Sequence, residues 1–210
     1  MNLTDFTALV KTTAKRGSTL DSVIPVFIRS SVKWLERNYT LQYMRKYASF
    51  TLDPESANPR AISFPNDRVK ELDFIRFLGA NGSYSYPRKV DPQELSGSIS
   101  GMPEAYWLDG VDFIWWDNTP VEETEGEIKY TQYTDWAAVG GSDEPWILKH
   151  ADDLILAQTM LLIAPYIRDP ALAAQFKPLR DEAIRTLVLA DEAFQQGPSR
   201  VERMSYGRLD

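Results

Sequence analysis

Residues 21–52 read DSVIPVFIRSSVKWLERNYTLQYMRKYASFTL, and the hydrophobic period changes inside this stretch. Ile24, Phe27, Ile28, Ser31, Trp34 and Leu35 recur at helical spacing, with Arg29, Lys33, Glu36 and Arg37 on the other face. Asp21 or Ser22 begins this helix. Pro25 is tolerated there because the first turn lacks most intrahelical N–H bonds anyway. The helix is expected to end near Asn38. From Tyr47 the period is two: Tyr47, Ser49 and Thr51 share one face and Ala48, Phe50 and Leu52 the other, which predicts a strand.

Working outward, Asn2 or Thr4 caps a first helix that runs to Lys15, with Phe6, Leu9, Val10 and Thr13 as its apolar stripe and Gly17 as its stop. Downstream, the prolines between 53 and 60 mark a loop. Strands are expected over 61–64, 69–78, 84–88, 104–108, 113–116 and 127–133, with a single helical turn at 91–95 opened by Asp91 and Pro92. The Asp109-Gly110 pair is a hairpin signal. Asp143 is expected to cap one long helix whose face carries Ile147, Ala151, Leu154, Ile155, Gln158, Leu161 and Leu162 and whose last turn holds Pro165. Asp169-Pro170 starts a second helix, with Leu172, Phe176, Leu179, Ala183, Leu187, Ala190 and Phe194 as the facing stripe. Pro178 predicts a kink or short break there, and Gly197-Pro198 a stop.

This pattern predicts an α+β fold: a helical bundle built from both chain ends, an inserted antiparallel β-rich subdomain, and a C-terminal extended arm. The expected boundaries are 1–46 for the N-terminal helices, 47–143 for the β-rich insertion, 144–196 for the closing helical hairpin and 197–210 for the arm.

Composition removes whole classes of chemistry. With no cysteine there is no disulfide, thiolate nucleophile or Cys-ligated zinc, and the single histidine, His150, excludes a histidine-cluster metal site. Cysteine absence fits a reducing compartment. The net charge of −7 argues against a protein that grips nucleic acid by neutralising phosphates. The opening residues carry an acid and no long apolar run, so neither a signal peptide nor a membrane span is expected. Six tryptophans are many for 210 residues and suit subunit contacts.

Each candidate site has a plainer reading. Asp109 with Asp112, or Asp117 with Glu122, could be a glycosidase carboxylate pair, but acids are abundant and aspartate is favoured beside turns for local backbone reasons. Trp107, Trp115 and Trp116 could make a sugar platform, yet Trp115 and Trp116 point to opposite faces of a strand, which favours packing. His150, beside Asp152 and Asp153, reads as solvated or capping. Lys11, Lys15 and Arg16 suit a helix C-terminus more than a phosphate site. Glu122, Glu123 and Glu125 lie in an acidic loop that, repeated around a pore, would repel DNA phosphates and let the duplex pass without sticking. No catalytic residue, cofactor site or metal site is expected.

The layout resembles the head-to-tail connector adaptors of short-tailed bacteriophages, of the tail tubular protein A type. The resemblance covers nearly the whole chain. It rests on the helix over 4–15, the helix over 21–38 with the strand over 43–52, ISFPNDRVKELDFI (62–75), PEAYWLDGVDFIWWDNTP (103–120), GEIKYTQYT (126–134) and the close on QQGPSRVERMSYG (195–207). It implies a structural, non-enzymatic homo-oligomer: a ring, commonly of twelve copies, at the head-tail junction of the virion after synthesis in the host cytoplasm. The ring would join the portal protein to the tail nozzle or tube around passing DNA, without sequence-specific binding or membrane contact. Arg200, Val201, Arg203, Met204 and Tyr206 would be portal-binding anchors on the arm, and the β region would meet the tail. Two readings stay open beside it: a carbohydrate-binding or carbohydrate-active virion protein using the aromatic strands, and a different connector such as a tail-completion or stopper protein.

Overall fold

The computed structural model describes residues 1–15, 18–64, 68–79, 82–94, 100–110, 113–136 and 138–196. Among them are five α-helices and eight β-strands, so the fold class is α+β. The chain divides into one unit of residues 1–43 with 135–210 and a second of residues 44–134.

The first unit is helical. α1 (Leu3–Ala14) starts at Asn2, whose Oδ1 accepts the Asp5 amide at 2.8 Å while its Nδ2 donates to the Asp5 carboxylate at 2.8 Å. The cap satisfies an amide that has no intrahelical partner. Phe6, Val10 and Ala14 are buried at helical spacing, whereas Leu9 stays at the surface. Lys15 itself takes the left-handed conformation, φ 50°, and closes the helix. Gly17, the expected stop, lies outside the described residues.

α2 (Ile24–Asn38) starts later than Asp21 or Ser22. The Asp21 carboxylate is not free to cap, because Lys11 Nζ sits 2.8 Å away. The buried stripe is Ile24, Ile28, Ser31, Val32, Leu35 and Glu36. Glu36, expected on the polar face, is only 1% exposed; it lies one turn beyond Val32 and is covered with it.

The single long helix expected from an Asp143 cap is two helices, α3 (Trp146–His150) and α4 (Asp152–Tyr166). Asp143 instead closes a turn: its Oδ2 accepts the Gly140 amide at 2.6 Å, and its carbonyl accepts the Leu3 amide at 3.2 Å. A Cβ at Gly141 would meet Thr4 Oγ1 at 2.7 Å, so a side chain there would have to displace the Thr4 hydroxyl. Ala151 leaves helical angles, and α4 restarts with Asp152 and Asp153 in its first turn, where the helix dipole favours acids.

Leu154, Ile155, Ala157, Gln158, Thr159, Met160, Ile163 and Ala164 of α4 are buried, which leaves hardly any polar side. A helix of that kind belongs in the middle of a core, and α4 touches α1, α2, α3 and α5 (Pro170–Gln196). Asp169 Oδ1 accepts the Leu172 amide at 3.0 Å, the cap expected for α5. α5 then runs through Pro178 without a break. A mid-helix proline costs about 3 kcal/mol; burying Phe176 and Leu187 on either side contributes roughly 1.5–3 kcal/mol each and offsets it. Leu179 and Phe194, expected on the facing stripe, are 48% and 65% exposed.

The second unit holds two four-stranded sheets. One has β1 (Arg45–Leu52), β8 (Thr124–Gln132), β3 (Val69–Leu78) and β4 (Tyr84–Ser85) in that order. The other has β2 (Ala61–Ser63), β7 (Phe113–Trp116), β6 (Ala105–Asp109) and β5 (Arg88–Lys89). All pairings are antiparallel except β5 with β6. The strand expected over 84–88 is split between the sheets, because Pro87 has no N–H for a ladder. β8 begins three residues earlier than expected, so Glu125 stands on a strand rather than in a loop. The expected helical turn appears as one 3-10 turn, Pro92–Glu94.

Both sheets contribute to one core: Leu52, Ile75, Phe77, Ile128 and Tyr130 from the first, Tyr106, Ile114 and Trp116 from the second. Trp116 is fully buried, stacked on Phe50 at 5.8 Å and met edge-on by Phe77 at 4.9 Å.

Candidate functional site

Of the two acidic pairs, Asp117 with Glu122 lies within the described residues. Asp117 Oδ1 accepts the amides of Asn118 and Glu104 at 2.9 and 3.1 Å, so backbone satisfaction explains it. Glu122, the proposed partner of Asp117, uses its carbonyl to accept from Thr124 Oγ1, and its carboxylate is exposed. Asp109 ends β6 at the surface, and Asp112 lies outside the described residues. Among the described residues no group of His, Asp and Glu is placed to hold a metal ion, and no helix is long and apolar enough to cross a membrane.

His150 closes the short α3 rather than opening a long helix, and its ring stacks on Tyr43 at 4.5 Å. Of the basic run, Lys11 is paired with Asp21 and Lys15 caps α1, and Arg16 lies outside the described residues. The anchors Arg200, Val201, Arg203, Met204 and Tyr206 also lie outside the described residues.

The outer face of the first sheet carries an organised polar network. Strand alternation turns Tyr47, Ser49, Thr51, Phe74, Arg76, Leu78, Glu125, Glu127 and Lys129 away from the core. Arg76 Nε donates to Glu127 Oε2 at 2.6 Å, and the guanidinium lies over the Tyr84 ring at 4.0 Å. The Glu127 carboxylate, with Tyr86 assisting, raises the Arg76 guanidinium above its ordinary value. Lys129 Nζ sits over Tyr47 and Phe74 and 3.8 Å from Asp73. Tyr47 and Tyr86 remain 65% and 61% exposed. Next to this network is a shallow depression of about 270 Å³ lined in part by Thr51, Leu78, Tyr84 and Glu125.

The outer face of the second sheet is aromatic. Trp107 and Trp115 are cross-strand partners whose rings stack at 5.6 Å, with Phe113 beside them at 6.4 Å from Trp115. Trp116 points the other way into the core, as strand alternation requires. A platform of Trp115 with Trp116 is therefore excluded, and one of Trp107 with Trp115 is present. At this sheet's edge, β5 carries Arg88 and Lys89, both exposed and with no acid paired to either among the described residues.

Sequence reasoning located the tryptophans and the acids. It missed the Arg76–Glu127–Tyr84 network, because cross-strand register is not visible in one strand's alternation. Compared with known proteins, the chain matches no family model, and no curated protein is significantly similar to it.

Proposed function

We propose that this chain is a structural subunit of a bacteriophage neck, a head-to-tail adaptor that closes as a ring between the portal protein and the tail nozzle or tube. In this reading the helices from both chain ends form the bundle that packs around the DNA channel, and residues 197–210 form the arm that docks on the portal. The β unit meets the tail. Glu122 and Glu123, exposed before β8 and without an ion pair among the described residues, are offered to the DNA path, where carboxylates repel phosphate. The subunit works by shape and catalyses nothing.

The observation that carries the reading is the number of large apolar and aromatic side chains left uncovered on both units. Val26, Leu189 and Phe194 are exposed on the helical unit, and Tyr47, Tyr86 and Phe113 on the β unit. Exposed groups of this kind on both units suit contacts with protein neighbours. Ring closure by one repeated heterologous contact would cover them.

The test is deletion of residues 197–210. The shortened chain is expected to stay folded and monodisperse while failing to join purified portal rings, read by electron microscopy of the mixed particles. Normal assembly on portals without the segment would remove the arm from the reading. Absence of this subunit from the neck of purified particles would remove the reading itself.

A second reading is favoured by one specific observation, the Trp107–Trp115 stack. Parallel indole rings at a sheet surface are suited to sugar faces. Glycan retention by a monomer, lost in Trp107→Ala, would support it over the adaptor.

A further inference from the structure

The β unit presents aromatic side chains on two opposite faces, since the outer faces of its two sheets look away from one shared core. On the first sheet, Glu125 is exposed and has no cation paired to it among the described residues, while its strand neighbour Glu127 is neutralised by Arg76. Within the depression beside Tyr84, Glu125 is therefore the carboxylate left without a paired cation among the described residues. On the second sheet, the uncompensated charges of the β5 edge are positive, Arg88 and Lys89, and β5 pairs with the strand that carries Trp107.

We propose that the occupant of the first sheet's outer face is the second sheet of another copy of this chain. The contact is head to tail, with Arg88 of one copy meeting Glu125 of the next across an aromatic interface of Tyr84 with Trp107 and Trp115. The charge signs match, and each copy carries both halves of the contact. A heterologous contact of that kind propagates from copy to copy and closes into a ring when the rotation allows it. Arg76 and Lys129 are already held over aromatic rings by their acids, so little side-chain freedom is lost on docking. Arg88 sits on the edge strand, and its backbone amide donates to the Glu104 carbonyl at 2.9 Å, which places the main chain from which its side chain projects. This inference rests on the ring reading above and names the surface that makes the ring.

The test is a charge-reversal cycle on the full chain: Glu125→Arg, Arg88→Glu and the double variant, with self-association followed by sedimentation velocity across a concentration series. Both substitutions are at exposed positions, and circular dichroism checks that each of the three variants keeps its fold. Each single reversal is expected to weaken association at least about tenfold, since it places like charges together, and the double variant is expected to restore most of it. Unchanged association in the single variants, or no recovery in the double, overturns the contact. If wild type and variants form rings alike, the contact fails while the ring reading stands. If wild type neither self-associates nor enters rings on portals, both fall.

Discussion

Phe50 lies across the backbone of Gly126, its cross-strand partner, and a Cβ at position 126 would clash with the tip of the ring. The ring is held there by stacking on Trp116 and by the edge of Phe77. Glycine in a strand ordinarily weakens it; here the aromatic covers the bare backbone. Gly126→Ala is therefore expected to destabilise the β unit by about 1–3 kcal/mol, the usual cost of overpacking a filled core. Urea unfolding followed by tryptophan fluorescence would read this, and a loss smaller than experimental error would show that the ring moves aside freely. Much of what decides such residues is local and legible in the chain: the Asn2 cap, the Asp169 cap, and the opposite orientations of Trp115 and Trp116 follow from spacing alone. Glu36, Asp143 and Gly126 do not. Their roles depend on residues far away in the sequence, which cover, donate to or overlie them.

At the scale of elements, α2 and α4 are joined by a polar contact inside an apolar core. Thr159 Oγ1 donates to Ser31 Oγ at 2.9 Å, and Ser31 Oγ donates to the Phe27 carbonyl at 2.9 Å. Both side chains are fully buried. Ser31→Ala strands the Thr159 hydroxyl in a dry site, so a loss of about 1–3 kcal/mol is expected. Adding Thr159→Val removes the stranded group at nearly constant volume, and the double variant is expected to be more stable than Ser31→Ala alone. Equal stabilities would mean the two hydroxyls are not coupled. The existence of these helices was readable from periodicity, including Ser31 on the α2 stripe. The break at Ala151, the passage of α5 through Pro178 and the parallel pairing of β5 were not. Each is settled by packing against another element, and local propensity is a weak prior against that.

The whole chain is built as an interruption, since residues 44–134 form a separate unit inside the sequence of the helical one. The antiparallel pairing of β1 with β8 sets Arg45 opposite Thr131, so the chain enters and leaves the β unit side by side. An insertion closed in this way adds little loop-closure cost to the helices that flank it. The β unit also carries its own core, centred on Trp116, with both sheets contributing. Residues 44–134 made as a separate polypeptide are therefore expected to fold. The expected signs are a cooperative urea transition and tryptophan emission shifted to the blue by burial of Trp116. A chain in which 44–134 is replaced by a short glycine-serine linker is likewise expected to keep its helical circular dichroism, because α4 already has helices packed around it. A featureless melt of the isolated β unit would mean that its two sheets hold their shape only with the helical unit attached. The charge-reversal variants would then have to be read as changes in the whole subunit rather than in one face of one unit.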